Sequence, residues 1–192
     1  MSLKKNGIAT AVAVLSVLAS ASPPALADDY RQGSTYVEKR GGVYGTSGQD
    51  ASRVSAEGGA AGVYVANGLA LEAEGLGYST DPAAASTPDG RAVGQAGDPD
   101  AMGAGVGAKW HVLRSKKGSV HLGAGTGLLS DEEKALGSRT VSQTNNADMG
   151  LTLNMSDSVS LKAQGRYQHI GGLGGRSATE AMGGNVGLKI SF

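Results

Sequence analysis

Asn185-Val186-Gly187-Leu188-Lys189-Ile190-Ser191-Phe192 is the last stretch of this 192-residue chain. Val186, Leu188, Ile190 and Phe192 alternate with Asn185, Gly187, Lys189 and Ser191. A period of two puts the apolar set on one face of a β-strand and the polar set on the other. The same period recurs upstream. In 159–168, Val159, Leu161 and Ala163 alternate with Ser160, Lys162, Gln164, Arg166 and Gln168. In 147–155, Ala147, Met149, Leu151, Leu153 and Met155 alternate with Asp148, Gly150, Thr152 and Asn154. In 119–129, Val120, Leu122, Ala124, Thr126 and Leu128 alternate with His121, Gly123, Gly125 and Gly127. In 101–113, Met102, Ala104, Val106, Ala108, Trp110 and Val112 alternate with Gly103, Gly105, Gly107, Lys109 and His111.

The first half of the chain alternates less cleanly. Residues 69–79 set Leu69, Leu71 and Ala73 against Glu72 and Glu74, and 53–66 set Val54, Ala56, Ala60 and Tyr64 against Ser55 and Glu57. Residues 34–45 carry Glu38, Lys39 and Arg40 in a row, which no single parity keeps on one side, so a bulge or a place at the water boundary is expected. Tyr78 has the opposite parity to Leu71, which predicts a shift near Gly75, Leu76 and Gly77.

These are eight strands, and their connections alternate in length. Asn67-Gly68, 114–118 and 156–158 are short; about 46–52, 80–100, 130–142 and 170–180 are long. Asn-Gly between strands is a strong hairpin signal. Short turns on one side and long loops on the other are the order of an up-and-down barrel with both termini periplasmic. The expected fold is an all-β, eight-stranded antiparallel transmembrane β-barrel over 28–192. A soluble periplasmic barrel or sandwich alternates too. Its inward apolar face would need bulk, whereas the apolar face here is poor in aromatics and the opposite face is mostly Gly and charge.

Composition narrows the choice. The chain has 32 Gly, 17 Lys+Arg, 17 Asp+Glu and no Cys. Glycine is more than twice its usual ~7%, without a collagen repeat. The missing thiol excludes disulfides, Cys-ligated metals and a Cys nucleophile. Zero formal charge leaves no electrostatic footprint for nucleic acid. Met1–Ala27 has Lys4 and Lys5, an uncharged stretch Ile8–Ala21, Pro23-Pro24, and small residues at Ala25 and Ala27. That is the layout of a cleavable secretory signal, and too short an apolar run for a membrane-spanning helix. Cleavage would remove two lysines and leave two acids in excess. Aromatics are few for a membrane barrel: Tyr36, Tyr64, Trp110 and Phe192 near the periplasmic strand ends, and Tyr44, Tyr78 and Tyr167 near the outer ends.

The last strand, with its terminal Phe192 and apolar residues two, four and six positions earlier, resembles the assembly signal of Gram-negative outer-membrane proteins. The resemblance implies that Val186, Leu188, Ile190 and Phe192 are read by the barrel assembly machinery. The mature chain resembles the small OmpA/OmpX-like and opacity-type barrels. Residues 158–192 resemble the YfaZ-type proteins through Ser158-Val159-Ser160-Leu161, Gly165-Arg166-Tyr167, the Gly171–Gly175 loop and the Val186-Gly187…Ser191-Phe192 end. No activity follows from that resemblance.

The face expected to line the lumen collects Glu57, Glu72, Glu74, Lys109, His111, His121, Lys162, Arg166 and Lys189. An eight-stranded barrel is just wide enough for side chains to fill it, and opposite charges inside it should pair. The expectation is a salt-bridged plug in a structural or surface-exposed protein without catalysis. The alternative is a narrow, porin-like channel gated by those pairs. His111 and His121 would be neighbours without a third metal ligand. Arg114, Lys116 and Lys117 form either a solvated turn or a contact for anionic headgroups. Gly103-Ala104-Gly105-Val106-Gly107-Ala108 fits a loose dinucleotide pattern, but it lies within a strand and does not open a helix. Outer-membrane lipid A deacylases carry His-x-Ser on a late strand; here His169 is followed by Gly171, so the nucleophile is missing, and Glu180 does not replace it. Acidic loops at 80–100 and 130–142 leave room for an extracellular ligand. No cofactor or metal is expected; the expected partners are outer-membrane lipid and the assembly machinery, the location is the Gram-negative outer membrane, and the expected state is a monomer.

Overall fold

A computed structural model describes residues 30–47, 53–80, 100–132, 139–172 and 178–192. They form β1 (Thr35–Thr46), β2 (Arg53–Ala66), β3 (Leu69–Thr80), β4 (Ala101–Ser115), β5 (Gly118–Glu132), β6 (Arg139–Asn154), β7 (Val159–Gly172) and β8 (Thr179–Ser191). Each strand pairs antiparallel with the next, and β8 returns to β1, from Tyr36 opposite Ser191 to Thr46 opposite Ala181. Closure leaves no unpaired sheet edge. The segment expected to be a leader, with Ala25 and Ala27, and most of the long links lie outside the described residues.

The alternation sorts side chains as expected through the second half. Val106, Trp110, Leu122, Leu128, Met149, Leu151, Val186 and Leu188 are exposed on the outer wall, while Lys109, His121, Asp148, Lys162, Arg166 and Lys189 are buried inside. Two strands run further than their alternation. β6 starts at Arg139, well before 147, and β5 and β6 stay paired up to Glu132 opposite Arg139, so the 130–142 link is shorter than its sequence suggests. Val141, Gln143 and Asn145 share the outer face there with a polar inner face. Where both faces are polar the hydropathy period vanishes, but the hydrogen-bond ladder continues.

The first half departs from its reading in three places. β1 has no bulge: its pairing with β2 and β8 is unbroken, and the charged run divides, with Glu38 and Arg40 inward and Lys39 outward. β2 has the opposite parity to the one expected: Ala56, Ala60 and Tyr64 face in, and Glu57 faces out. β3 has no shift at 75–77; Tyr78 points inward with Glu72, Glu74 and Leu76. The irregularities lie elsewhere, between Tyr64 and Ala66 and between His111 and Leu113, both near the short-turn end. Ala and Gly sit equally well on either wall, so short side chains in β1–β3 carry little parity information.

The turns follow from their residues. Ala66 pairs with Leu69 around Asn67-Gly68, and Gly68 takes φ +84° where Asn67 does not go positive. The turn is therefore not the type I′ form, which needs two positive φ values. Ser156 Oγ accepts from the Val159 amide at 3.1 Å and steadies the β6–β7 turn.

Glycine abundance has a geometric cause. Large inward side chains face glycine across the ladder: Tyr36 is opposite Gly62, Arg40 opposite Gly58 and Gly187, Tyr44 opposite Gly183, Glu74 opposite Gly105, and His121 opposite Gly150. Some large side chains do stand opposite each other, as Glu38 with Lys189, His111 with His121 and Asp148 with Arg166; at the levels named above, glycine makes the room in a narrow barrel. A Cβ at Gly62 would overlap the Tyr36 ring, whose hydroxyl donates to Glu72 Oε2 at 2.8 Å. Gly62→Ala is therefore expected to lower stability by about 1–3 kcal/mol in a urea titration of the folded band. Gly165→Ala, whose Cβ would meet only Gly183 O at 4.0 Å, should change little.

Candidate functional site: the polar lumen

Charged side chains from β1, β3, β4, β6 and β7 meet along the barrel axis. Arg40 is the hub. Its Nη2 donates to Glu72 Oε1 at 2.7 Å, its Nη1 lies 3.2 Å from Glu74 Oε2, and its Nε lies 3.5 Å from Glu38 Oε1. Lys109 Nζ donates to both Glu72 oxygens at 2.7 and 2.9 Å. Lys162 Nζ donates to Glu38 Oε2 at 2.8 Å. Arg166 binds Glu74 with two parallel bonds of 2.9 and 2.8 Å, and its Nη2 is 3.6 Å from Asp148 Oδ2. Cations and carboxylates thus alternate through one continuous cluster. The side chains of Arg40, Glu38, Glu72, Lys109 and Lys162 keep at most 4% exposure, so they occupy the barrel's mid-section. At such burial each charge requires its partner.

Below this cluster the mouth is closed by aromatic rings. Tyr30, from the segment preceding β1, lies edge-on to Tyr64 at 5.9 Å between centroids and against His111 at 4.8 Å. Its carbonyl accepts from the Gly68 amide at 2.8 Å and its hydroxyl donates to Asn154 Oδ1 at 3.2 Å, which ties it to two turns. Lys189 Nζ sits 5.0, 5.3 and 5.8 Å from the ring centres of Tyr30, Tyr36 and Tyr64. That is a cation held by three π-faces. His111 bonds Ser119 Oγ through Nδ1 at 2.7 Å and Tyr64 Oη through Nε2 at 3.2 Å. Both ring nitrogens are thereby occupied, and the Ser119–His111 hydrogen bond is buried against Tyr30. His121 stacks near His111 at 5.4 Å, and its Nε2 is 3.8 Å from Asp148 Oδ1. Among the described residues, no group of three or more ligands for a metal comes together.

At the upper side of the cluster a water-sized cavity of about 10 Å³ lies among Glu74, Asp148, Arg166 and Asn146 and the glycines Gly107 and Gly125. Tyr44 and Tyr78 pack at 6.4 Å, Tyr78 donates to Gln168 Oε1 at 3.4 Å, and Asn185 donates to Tyr44 Oη at 3.0 Å.

The inward residues expected from sequence are therefore here, with one exception. Glu57 lies on the outer wall, its side chain 71% exposed, bound to Lys39 Nζ at 2.9 Å. Glu38, Arg40 and Asp148 are members that the sequence list lacked. The Glu38-Lys39-Arg40 run held the signal for two of them: read as plain alternation, it sends Glu38 and Arg40 to one side. Asp148 already alternated with Ala147 and Met149. The tyrosines expected to form girdles mostly do not. Tyr36, Tyr44 and Tyr64 are buried in the lumen, and Tyr78 points inward; Trp110, Tyr167 and Phe192 are exposed outside. Val186, Leu188 and Ile190 also line the outer wall. His169 stands opposite Glu180, and a Cβ at Gly171 would lie 3.9 Å from His169 Nε2; the hydroxyl a deacylase needs is not supplied there.

No protein-family profile and no curated protein matches the chain, and the YfaZ-type resemblance gains no support. Solved structures do match. The neisserial surface protein NspA aligns with a TM-score of 0.66 and 17% identity over 84% of this chain and 100% of that one. The N-terminal β-barrel domain of Pseudomonas aeruginosa OprF aligns at 0.55, with 17% identity over 84% and 98%. Ail, the attachment invasion locus protein of Yersinia pestis, aligns at 0.50, with 11% identity over 84% and 99%. The fold is that of the small eight-stranded transmembrane β-barrels. In this fold the outer wall of exposed Val, Leu and Met is a lipid-facing surface, and the closed ladder meets the demand that every backbone group in lipid be paired.

Proposed function

We propose that this chain is an integral outer-membrane barrel with a sealed lumen, both termini periplasmic, and a structural or surface role that involves no catalysis. The observation that carries this reading is the filled mid-section: Arg40, Glu72, Lys109, Lys162 and Glu38 bind one another across the bore, with Tyr30 and its neighbours beneath. A conducting path would need these pairs to separate in a low-dielectric space, which costs several kcal/mol per ion. The terminal Phe192 and the outward Val186, Leu188 and Ile190 support insertion by the assembly machinery, and the likeness to the surface protein NspA and the attachment invasion locus protein Ail agrees with a role for the outer loops. The water-sized cavity beside Glu74 and Arg166 supports a second reading, a narrow channel closed only at its middle.

Purified protein in planar bilayers is expected to give no stepwise conductance. Discrete steps that change with Glu72→Ala or Lys162→Ala would establish the channel instead. Unheated protein from the outer-membrane fraction is expected to migrate apart from boiled protein on SDS gels. Recovery from the soluble periplasmic fraction with no such shift would overturn the membrane assignment.

A further inference from the structure

On β4 to β8 the outer wall carries bulky apolar side chains: Val106, Trp110, Leu128, Met149 and Val186 are each more than half exposed. On β1–β3 the outer wall keeps Val43, Val65, Leu69 and Leu71 but carries a charged pair among glycines between them. Lys39 and Glu57 stand outward with side chains 79% and 71% exposed, joined at 2.9 Å. Their ladder neighbours are largely bare: Lys39 lies opposite Gly59, Glu57 opposite Gly41 and Gly77, and Gly59 opposite Gly75. The pair is not at a rim. Val37 and Val43 bracket it along β1, and Leu188 and Val186 lie opposite Lys39 and Gly41 on β8. Charges at this depth are costly against lipid, and such residues ordinarily face protein or water.

We infer that the β1–β3 wall is an interface at which a second copy of this chain docks, with Lys39 of each copy meeting Glu57 of the other. This rests on the membrane-embedded reading proposed above and replaces the monomer expected from sequence. Charge complementarity selects the occupant. A two-fold interface brings one patch against itself, and a patch with one cation beside one anion is its own complement. Two intramolecular pairs then become a cluster of four charges shielded from lipid. The surrounding glycines let the two walls approach closely, as small residues do where membrane segments pack. Lipid solvates apolar walls as well as another wall does, so the charges supply the preference for a partner.

The absence of cysteine in the chain makes the test direct. Gly41→Cys places one thiol inside the patch, and Ala124→Cys places one on β5, across the barrel. In lipid nanodiscs loaded with two barrels, a short bis-maleimide is expected to link Gly41→Cys into dimers at least about tenfold more than Ala124→Cys. That ratio corresponds to about 1.4 kcal/mol. Adding Lys39→Glu should remove the excess, adding Lys39→Glu with Glu57→Lys should restore it to within about twofold, and Lys39→Leu with Glu57→Leu should abolish it without repulsion. Equal linking at both sites, no loss with Lys39→Glu, or no recovery in the swap would overturn the inference. Each variant is first checked for the heat-dependent gel shift. Its absence in the unsubstituted protein would defeat the membrane reading itself, whereas a shift without selective linking defeats only the dimer.

Discussion

Arg40→Ala is expected to destabilise the barrel by about 3–5 kcal/mol, the range for removing one partner from a buried ion pair. Arg40 is in contact with Glu38, Glu72 and Glu74 at 3.5, 2.7 and 3.2 Å. Truncation leaves three carboxylates to share Lys109, Lys162 and Arg166, and opens a gap that Gly58 and Gly187, its ladder neighbours, have no side chains to fill. Arg40→Lys should recover only part of the loss. A single ammonium cannot present the planar fork that reaches three acceptors on two strands. Urea titration of folded and unfolded bands in phospholipid vesicles measures both. A loss under about 1 kcal/mol for Arg40→Ala would mean that water already screens the hub and that the lumen is wetter than its packing indicates.

Glu72→Ala should cost a similar amount, about 3–5 kcal/mol, through a different group. Glu72 accepts from Tyr36, Arg40 and Lys109, each at 2.7–2.9 Å. Its loss strands Lys109, whose remaining hydrogen bond among the described residues is to Gln164 Oε1 at 3.5 Å. The double variant Glu72→Ala with Lys109→Met removes both charges together. It should be more stable than Glu72→Ala alone, because the penalty lies in the uncompensated charge more than in the lost attraction. Glu72→Gln should fall between, since an amide still accepts from Tyr36 while Arg40 and Lys109 lose charge balance. If the double variant is no better than the single, the pair is not coupled and the cluster acts as separate contacts.

The two variants also bear on the proposed role. If the mid-section seals the bore, each should raise ion leakage through the same barrel population that still shows the gel shift. If the bore stays silent, the tyrosine layer around Lys189 is a second closure, and Tyr30 is the next residue to remove.

The strand count, the closed antiparallel fold and the inner wall of β4, β5, β7 and β8 were legible in the linear alternation. One face of those strands meets apolar surroundings and the other polar ones, and a period of two records that difference residue by residue. Lys109, His111, His121, Lys162, Arg166 and Lys189 were found inside for this reason. On β3 the alternation also placed Glu72 and Glu74 inside, but it did not sort β1 and β2 or the tyrosines. There Ala and Gly occupy both faces, tyrosines fill the lumen where a girdle was expected, and one wall carries Lys39 and Glu57. A residue's polarity no longer reports its side when the outside also holds charges and the inside also holds rings. Only the register across neighbouring strands decided that Arg40 stands among three carboxylates, that Glu57 turns away from them, and that Tyr36, Arg40, Tyr44, Glu74 and His121 stand opposite glycines. Those are relations between residues distant in sequence, and closing the barrel creates them.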